Sequence, residues 1–161
     1  MNRIKSEDNA TYNAHATDQD IIAQALAIIE RNLGGEKDIL SAPKTVSKYL
    51  VIKLAGLQHE IFGCIYLNNR NQVLNTEELF RGTIDGASVY PREVVKAVLR
   101  HNASSVIFYH NHPSGSPEPS RADEIITNRL QDALKLIDVR VLDHLIIGGI
   151  DTVSFAERGL I

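Results

Sequence analysis

The sequence predicts an α/β domain in which helices cover a mixed β-sheet. Segments with helical periodicity alternate with apolar, strand-like runs, in the order helices, hairpin, helix, strand, helix and strands. The chain has 161 residues, of which 43% are hydrophobic, so it is long enough to bury the core of one globular domain. We therefore expect a single layered domain.

The N-terminal part of the chain predicts a tail followed by a helix. Residues 1–16 are polar, rich in Asn and without periodicity, which predicts a flexible tail. Thr17 is a candidate N-cap, and apolar residues recur at helical spacing from there until Gly34. Residues 17–44 are therefore expected to form a helix and a linker.

Turn signals and periodic runs place the remaining elements. They are a helix over about 41–56, a hairpin of strands 60–67 and 72–80, a short strand over 88–90, a helix from Pro91, a strand over 105–109, a helix over about 120–136, and strands over 139–149 and 152–155. The helix from Pro91 is expected to bury Val94, Val95, Val98 and Leu99.

Composition argues against several classes of protein. The formal net charge is -3 and the 17 Lys and Arg residues are scattered, which predicts no direct nucleic-acid binding. Cys64 is the single cysteine, so an intramolecular disulfide and a thiolate zinc knuckle are both excluded. No apolar run has membrane-spanning length and no signal peptide is evident, so we expect a cytoplasmic protein without membrane contact.

The stretch YHNHPSGSPEPSRAD at 109 to 123 concentrates reactive side chains around a turn-rich loop. His110 and His112 follow an apolar strand, and residues two apart on a strand point to the same face, whereas Asn111 faces away. Prolines and Gly115 interrupt regular structure until Ser120 begins a helix, whose first turn carries Asp123. The turn brings this carboxylate back toward the two imidazoles.

Two imidazoles and one carboxylate are a three-ligand set for catalytic Zn²⁺, whose fourth position is left to water. The sequence therefore predicts that His110, His112 and Asp123 bind zinc. Glu60 is the candidate general base, because it precedes an uncharged strand and a partly buried carboxylate needs a partner. Ser120 is the candidate donor to a developing oxyanion.

Other interpretations of these residues stay open at the level of sequence. Ser120 and Asp123 have the spacing of a helix capping box, Glu60 equally fits a solvated strand end, and Glu118 is the second candidate base. His144 follows Asp143 in an apolar strand; a hydrogen-bonded core histidine is favoured over an outer-shell partner of a metal.

The chain resembles the RadC-like (UPF0758) family of the JAB/MPN superfamily. The pattern His110, His112, Ser120, Asp123 is similar to the JAMM motif. The strings LFRGT at 79 to 83, YPREVVKAVL at 90 to 99, HNHPSG at 110 to 115, LDHLIIG at 142 to 148 and SFAERGL at 154 to 160 are similar to RadC-like proteins. The resemblance covers residues 45–161, which we take as the JAB/MPN domain.

The resemblance implies a cytidine-deaminase-like α/β fold that holds zinc through His110, His112 and Asp123. It also implies that Glu60 is the motif glutamate and Ser120 the motif serine. JAMM enzymes hydrolyse peptide or isopeptide bonds, so the implied partner is an unknown peptide or protein substrate. Residues 1–44 are too short for the helix-hairpin-helix region of full-length RadC-like proteins, so we expect a short stand-alone form.

The alternative function is a noncatalytic MPN interaction module that serves DNA repair or a mobile element. It would keep the fold, and in some cases the metal, without turnover. Neither the substrate nor the oligomeric state follows from the sequence.

Overall fold

The computed structural model describes residues 16–33, 43–54, 56–82 and 88–161. Three predicted features lie outside these residues: most of the tail, Gly34 at the end of the first helix, and the start of the second helix near residue 41. Within them, the helices and strands are α1 (Asp18–Leu33), α2 (Pro43–Leu54), β1 (Ile61–Leu67), β2 (Val73–Arg81), α3 (Pro91–Arg100), β3 (Ser105–Asn111), α4 (Arg121–Lys135), β4 (Arg140–Gly148) and β5 (Asp151–Ser154).

The strands form a five-stranded mixed sheet in the order β2-β1-β3-β4-β5. The predicted hairpin is confirmed, because β1 and β2 pair antiparallel across the turn that follows Leu67. Strand β3 pairs antiparallel with β1 and parallel with β4. The parallel pair is joined through α4, as a crossover between parallel strands requires. The predicted mixed sheet is confirmed.

Helices cover both faces of this sheet, because alternate residues of the central strands are apolar on both sides. On one face, α3 and α4 pack on side chains of β1 and β3 that include Phe62, Tyr66 and Phe108. On the other, α2 packs on Ile65 and Tyr109, and α1 adds partly buried side chains. The result is a sheet between two helical layers.

Two local predictions were wrong. Residues 88–90 form no strand; they lead into α3, where Tyr90 is the N-cap residue in extended conformation. Leu99 is 60% exposed, whereas Ala97 is buried. Val94 and Val98 lie four residues apart and define the buried face of α3, and Leu99 is turned about 100° from Val98 on a 3.6-residue helix.

None of the helices in the described residues is both long and apolar enough to cross a membrane.

Gly63 allows β1 to lie against a large side chain of β3. A Cβ atom at this position would overlap the ring of Tyr109, which is fully buried. The missing side chain therefore makes room for the Tyr109 ring on the α2 face of the sheet.

Gly63→Ala is expected to lower the free energy of unfolding by about 1–3 kcal/mol, because a packed core accommodates an added methyl group only by strain. The measurement is denaturant unfolding of the wild type and the variant. In a protein that already carries Tyr109→Leu, the same Gly63→Ala change should lower the free energy of unfolding by less, because the smaller leucine leaves room for the added methyl group. An unchanged unfolding midpoint in Gly63→Ala would contradict the close approach.

Candidate metal centre

His110 and His112 lie where β3 ends, beside the carboxyl end of its parallel neighbour β4. The ring of His110 is buried and that of His112 is half-buried. Their Nε2 atoms lie 2.9 Å apart, which shows that both rings point to one place. The predicted common face of the two histidines is confirmed.

Asp123 reaches the same place from the first turn of α4. Its Oδ1 lies 3.3 Å from Nε2 of His110, and its Oδ2 lies 3.5 Å from Nε2 of His112. Ser120 is the N-cap, and its backbone N–H and its hydroxyl both donate to Oδ2 at 2.7 Å. The predicted capping box is therefore present, and it orients the carboxylate toward the imidazoles.

A buried hydrogen-bond chain determines which nitrogen of His110 carries the proton. The Thr127 hydroxyl donates to the Asp123 carbonyl oxygen at 2.6 Å, so Thr127 Oγ1 accepts from Nδ1–H of His144, also at 2.6 Å. Nε2 of His144 is then an acceptor, and it receives Nδ1–H of His110 at 2.8 Å. Nε2 of His110 consequently keeps a free lone pair toward Asp123.

His112 is oriented by the loop itself. Its Nδ1 lies 2.8 Å from the backbone carbonyl oxygen of Ser116, which can only accept, so Nδ1 is the protonated nitrogen. Its Nε2 also faces the cluster. Two nitrogen lone pairs and a carboxylate therefore converge, and such a group of acceptors is stabilised by a cation between them.

The electrostatics of the cluster describe the protonated form of the imidazoles, in which a proton on Nε2 takes the place of a cation between the rings and Asp123. The Asp123 hydrogen bond raises the pKa of His112 although burial acts against it. Burial opposes ionisation of Asp123, but hydrogen bonds with His110 and His112 outweigh it and hold its pKa well below the usual range. Burial, together with the neighbouring His110, lowers the pKa of His144 well below its ordinary value, so that ring is neutral.

The donor set and its spacing fit a zinc ion. His110, His112 and Asp123 each offer one ligand atom, and these atoms lie within 4.8 Å of one another. Ligand atoms about 2.0–2.1 Å from a tetrahedral Zn²⁺ would be separated by about 3.3 Å. The two Nε2 atoms are 2.9 Å apart, and those of His110 and His112 lie 3.3 and 3.5 Å from different oxygens of the Asp123 carboxylate. Three protein ligands leave one position for a further molecule.

Glu60 lies beside this cluster, immediately before β1. Together with the three candidate ligands and Ser120, it lines a cleft of about 410 Å³ whose other walls include Phe62, Val89 and Ile126. Burial raises the pKa of the Glu60 carboxyl, the nearby histidines oppose this, and Asp123 adds to it. The structure therefore brings together all five residues singled out in the sequence.

Glu118, the second candidate base, lies elsewhere. Its two carboxylate oxygens accept hydrogen bonds from Arg158 at 2.6 and 2.7 Å in an exposed ion pair. It is absent from the residues that line the cleft. Of the two candidate bases, Glu60 is the one that lines the cleft.

His144 is the hydrogen-bonded core histidine that was favoured, and it also contacts the candidate ligand His110. The Asp143 carboxylate does not bind the His144 ring; it accepts from the backbone N–H groups of His144 and Ala156 and from the Ser154 hydroxyl. Thr127 was missed. The sequence feature that could have indicated Thr127 is its position four residues after Asp123, because residues i and i+4 share a helix face and Thr127 is a hydroxyl side chain on an otherwise apolar face.

Comparison with known families agrees with this fold. A model of the RadC-like JAB domain matches residues 40–160, which include every residue of the cleft and the metal cluster. The chain belongs to the RadC-like JAB domain family. The five-stranded mixed sheet flanked by helices is consistent with that domain. The superfamily that contains RadC-like JAB domains includes metalloproteases.

Relatives of this RadC-like chain are known as UPF0758 proteins. The chain is 61% identical over 124 residues to the UPF0758 protein of Nitrosococcus oceani, a match that covers 77% of this chain and 55% of that protein. It is 52% identical over 145 residues to the UPF0758 protein of Vibrio cholerae, covering 89% of this chain and 90% of the relative. The chain thus spans about half the length of the Nitrosococcus relative and most of the Vibrio one.

Thr127→Val is expected to weaken zinc binding about 10- to 100-fold, the effect of losing an outer-shell partner. Valine keeps the shape of the side chain but removes the acceptor of His144 Nδ1–H, which frees His144 and His110 to take the other tautomers. The measurement is competition for zinc with a chromophoric chelator. Thr152→Val, on β5, is the matched control, and equal affinities for the two variants would contradict the hydrogen-bond chain.

Proposed function

We propose that this RadC-like protein is a zinc-dependent hydrolase of JAMM type that cleaves peptide or isopeptide bonds. The observation that carries the proposal is the convergence of two unprotonated imidazole nitrogens and a carboxylate beside Glu60, in a cleft of about 410 Å³. His110, His112 and Asp123 would hold the ion. The ion would lower the pKa of a bound water from about 15.7 toward about 7 and polarise the substrate carbonyl.

Glu60 would move the protons of this reaction. It lies in the cleft with the candidate ligands, and its raised pKa brings it nearer to neutrality, where a carboxyl group can both accept and return a proton. It would take a proton from the attacking water and deliver it to the leaving amine nitrogen as the C–N bond breaks.

Ser120 would supply the oxyanion donor. In the structure its hydroxyl donates to Asp123, so this second role requires the hydroxyl to turn toward the cleft. The Ser120 backbone N–H would meanwhile continue to hold Asp123 Oδ2. The apolar side chains Phe62, Val89 and Ile126, which also line the cleft, would exclude water from part of it, and this strengthens such charge-assisted hydrogen bonds.

The purified protein is expected to contain about one zinc ion per chain, and His110→Ala is expected to abolish it, because the remaining donors are too few for a catalytic site. Elemental analysis after purification without added chelator gives the stoichiometry. His101→Ala, a histidine outside the cluster, should retain the metal. Wild-type protein that is metal-free after such a purification, and does not take up zinc, would refute the ligand set.

Glu60→Gln is expected to keep zinc and lower the turnover number by about 100-fold or more, since the amide cannot accept the proton. Cleavage is followed on a library of fluorescence-quenched peptides together with lysine-linked isopeptides. Glu118→Gln is the matched control and should leave turnover unchanged. If zinc-loaded wild type cleaves none of these substrates, the noncatalytic module becomes the better description.

A further inference from the structure

Asn111 separates the two histidines in sequence and points to the opposite face of β3, toward the segment that carries Glu60. Its side chain is buried. Its Oδ1 accepts the backbone N–H of Ile61 at 2.8 Å, and its Nδ2 donates to the backbone carbonyl oxygen of His59 at 3.0 Å. An amide is the side chain that supplies one acceptor and one donor at such a site, so its orientation is unambiguous.

These two hydrogen bonds hold the peptide units on both sides of Glu60. The carbonyl of His59 belongs to the planar unit before Glu60, and the N–H of Ile61 belongs to the unit after it. That second unit is also held from the other side, because the Glu60 carbonyl oxygen accepts the N–H of Gly82 at 2.8 Å. With both planes held, the two rotatable backbone angles of Glu60 are set.

Backbone pairing between β1 and β3 does not by itself set the backbone angles of Glu60. The pairing of β1 with β3 begins at Phe62 opposite His110, so Ile61 and the residues before it have no backbone partner on β3. At that point the side chain of Asn111 takes over the role of a ladder partner. The Cα–Cβ bond of Glu60 is thereby directed by a residue of the same strand end that carries His110 and His112.

We propose that Asn111 is a positioning residue, which couples the direction of Glu60 to the metal-binding end of β3. This inference rests on the proposed function in treating Glu60 as the base. Glu60 must lie within hydrogen-bond reach of the attacking water, and small misplacements of a catalytic group cost large factors in rate. Asn111 acts through Glu60 and does not touch the substrate.

Asn111→Ala is the direct test, and Val106→Ala, a buried truncation at the other end of β3, is the control for general destabilisation. In zinc-loaded protein, Asn111→Ala should lower the backbone order parameter of the Glu60 amide from about 0.85 toward about 0.6 and speed amide exchange at Ile61. Val106→Ala should leave both unchanged. These measurements need no substrate.

Kinetics give the second measurement, made on the peptide that the library screen shows to be cleaved fastest. Asn111→Ala should lower kcat by about 10-fold or more, with KM within about twofold and zinc content at wild-type level. Val106→Ala should keep kcat. Asn111→Asp, as a carboxylate, retains the acceptor for Ile61 and loses the donor to His59, so it should keep exchange at Ile61 slow while the Glu60 order parameter falls.

An unchanged Glu60 order parameter in Asn111→Ala, or a kcat equal to that of Val106→Ala, would overturn the proposal. If Asn111→Ala does not fold, the test is made on Asn111→Asp. The proposal then requires that the order parameter of the Glu60 amide falls in that variant. If wild type cleaves no peptide, the proposed hydrolysis fails. The relaxation and exchange data then still decide whether Asn111 holds Glu60.

Discussion

The meeting of His110, His112 and Asp123 is the interaction on which the architecture of this protein centres. Two lone pairs and a carboxylate brought within 3.5 Å of one another repel unless a proton or a metal ion lies among them. The surrounding hydrogen bonds hold each histidine ring in a single tautomer, with its Nε2 lone pair toward the cluster. The chain from Thr127 through His144 to His110 is buried, so no water competes for its partners.

The helix cap and the metal cluster are one structure. Capping boxes ordinarily satisfy the free N–H groups of a helix terminus. Here the same bonds from Ser120 orient Asp123, so that its carboxylate also reaches the histidines. The two interpretations that the sequence left open for these residues are therefore compatible. The same hydrogen bonds stabilise the first turn of α4 and orient the Asp123 carboxylate, a candidate metal ligand.

The position of the cleft residues also depends on how the neighbouring backbone segments pack against the ends of β3 and β4. A Cβ atom at Gly148, the last residue of β4, would overlap the backbone of Ser116 and Pro117. The loop after His112 therefore lies directly on the end of β4, where the Ser116 carbonyl accepts Nδ1–H of His112. On the other side of β3, Asn111 holds the segment of Glu60. Successive residues at the end of β3 thus provide the candidate metal ligands and hold the segment of the candidate base.

The sequence by itself determined the α/β class, the hairpin, the helix that begins after Ser120, and the grouping of His110, His112 and Asp123. These depend on local rules: hydrophobic period, turn residues, the alternation of side chains along a strand, and capping. Only the tertiary structure decided that Glu60 joins the cluster, that Thr127 and His144 select the tautomer of His110, and that Asn111 binds both sides of Glu60. Those contacts join residues 17 or more positions apart, and strand order and register, which bring them together, arise from packing of the whole sheet.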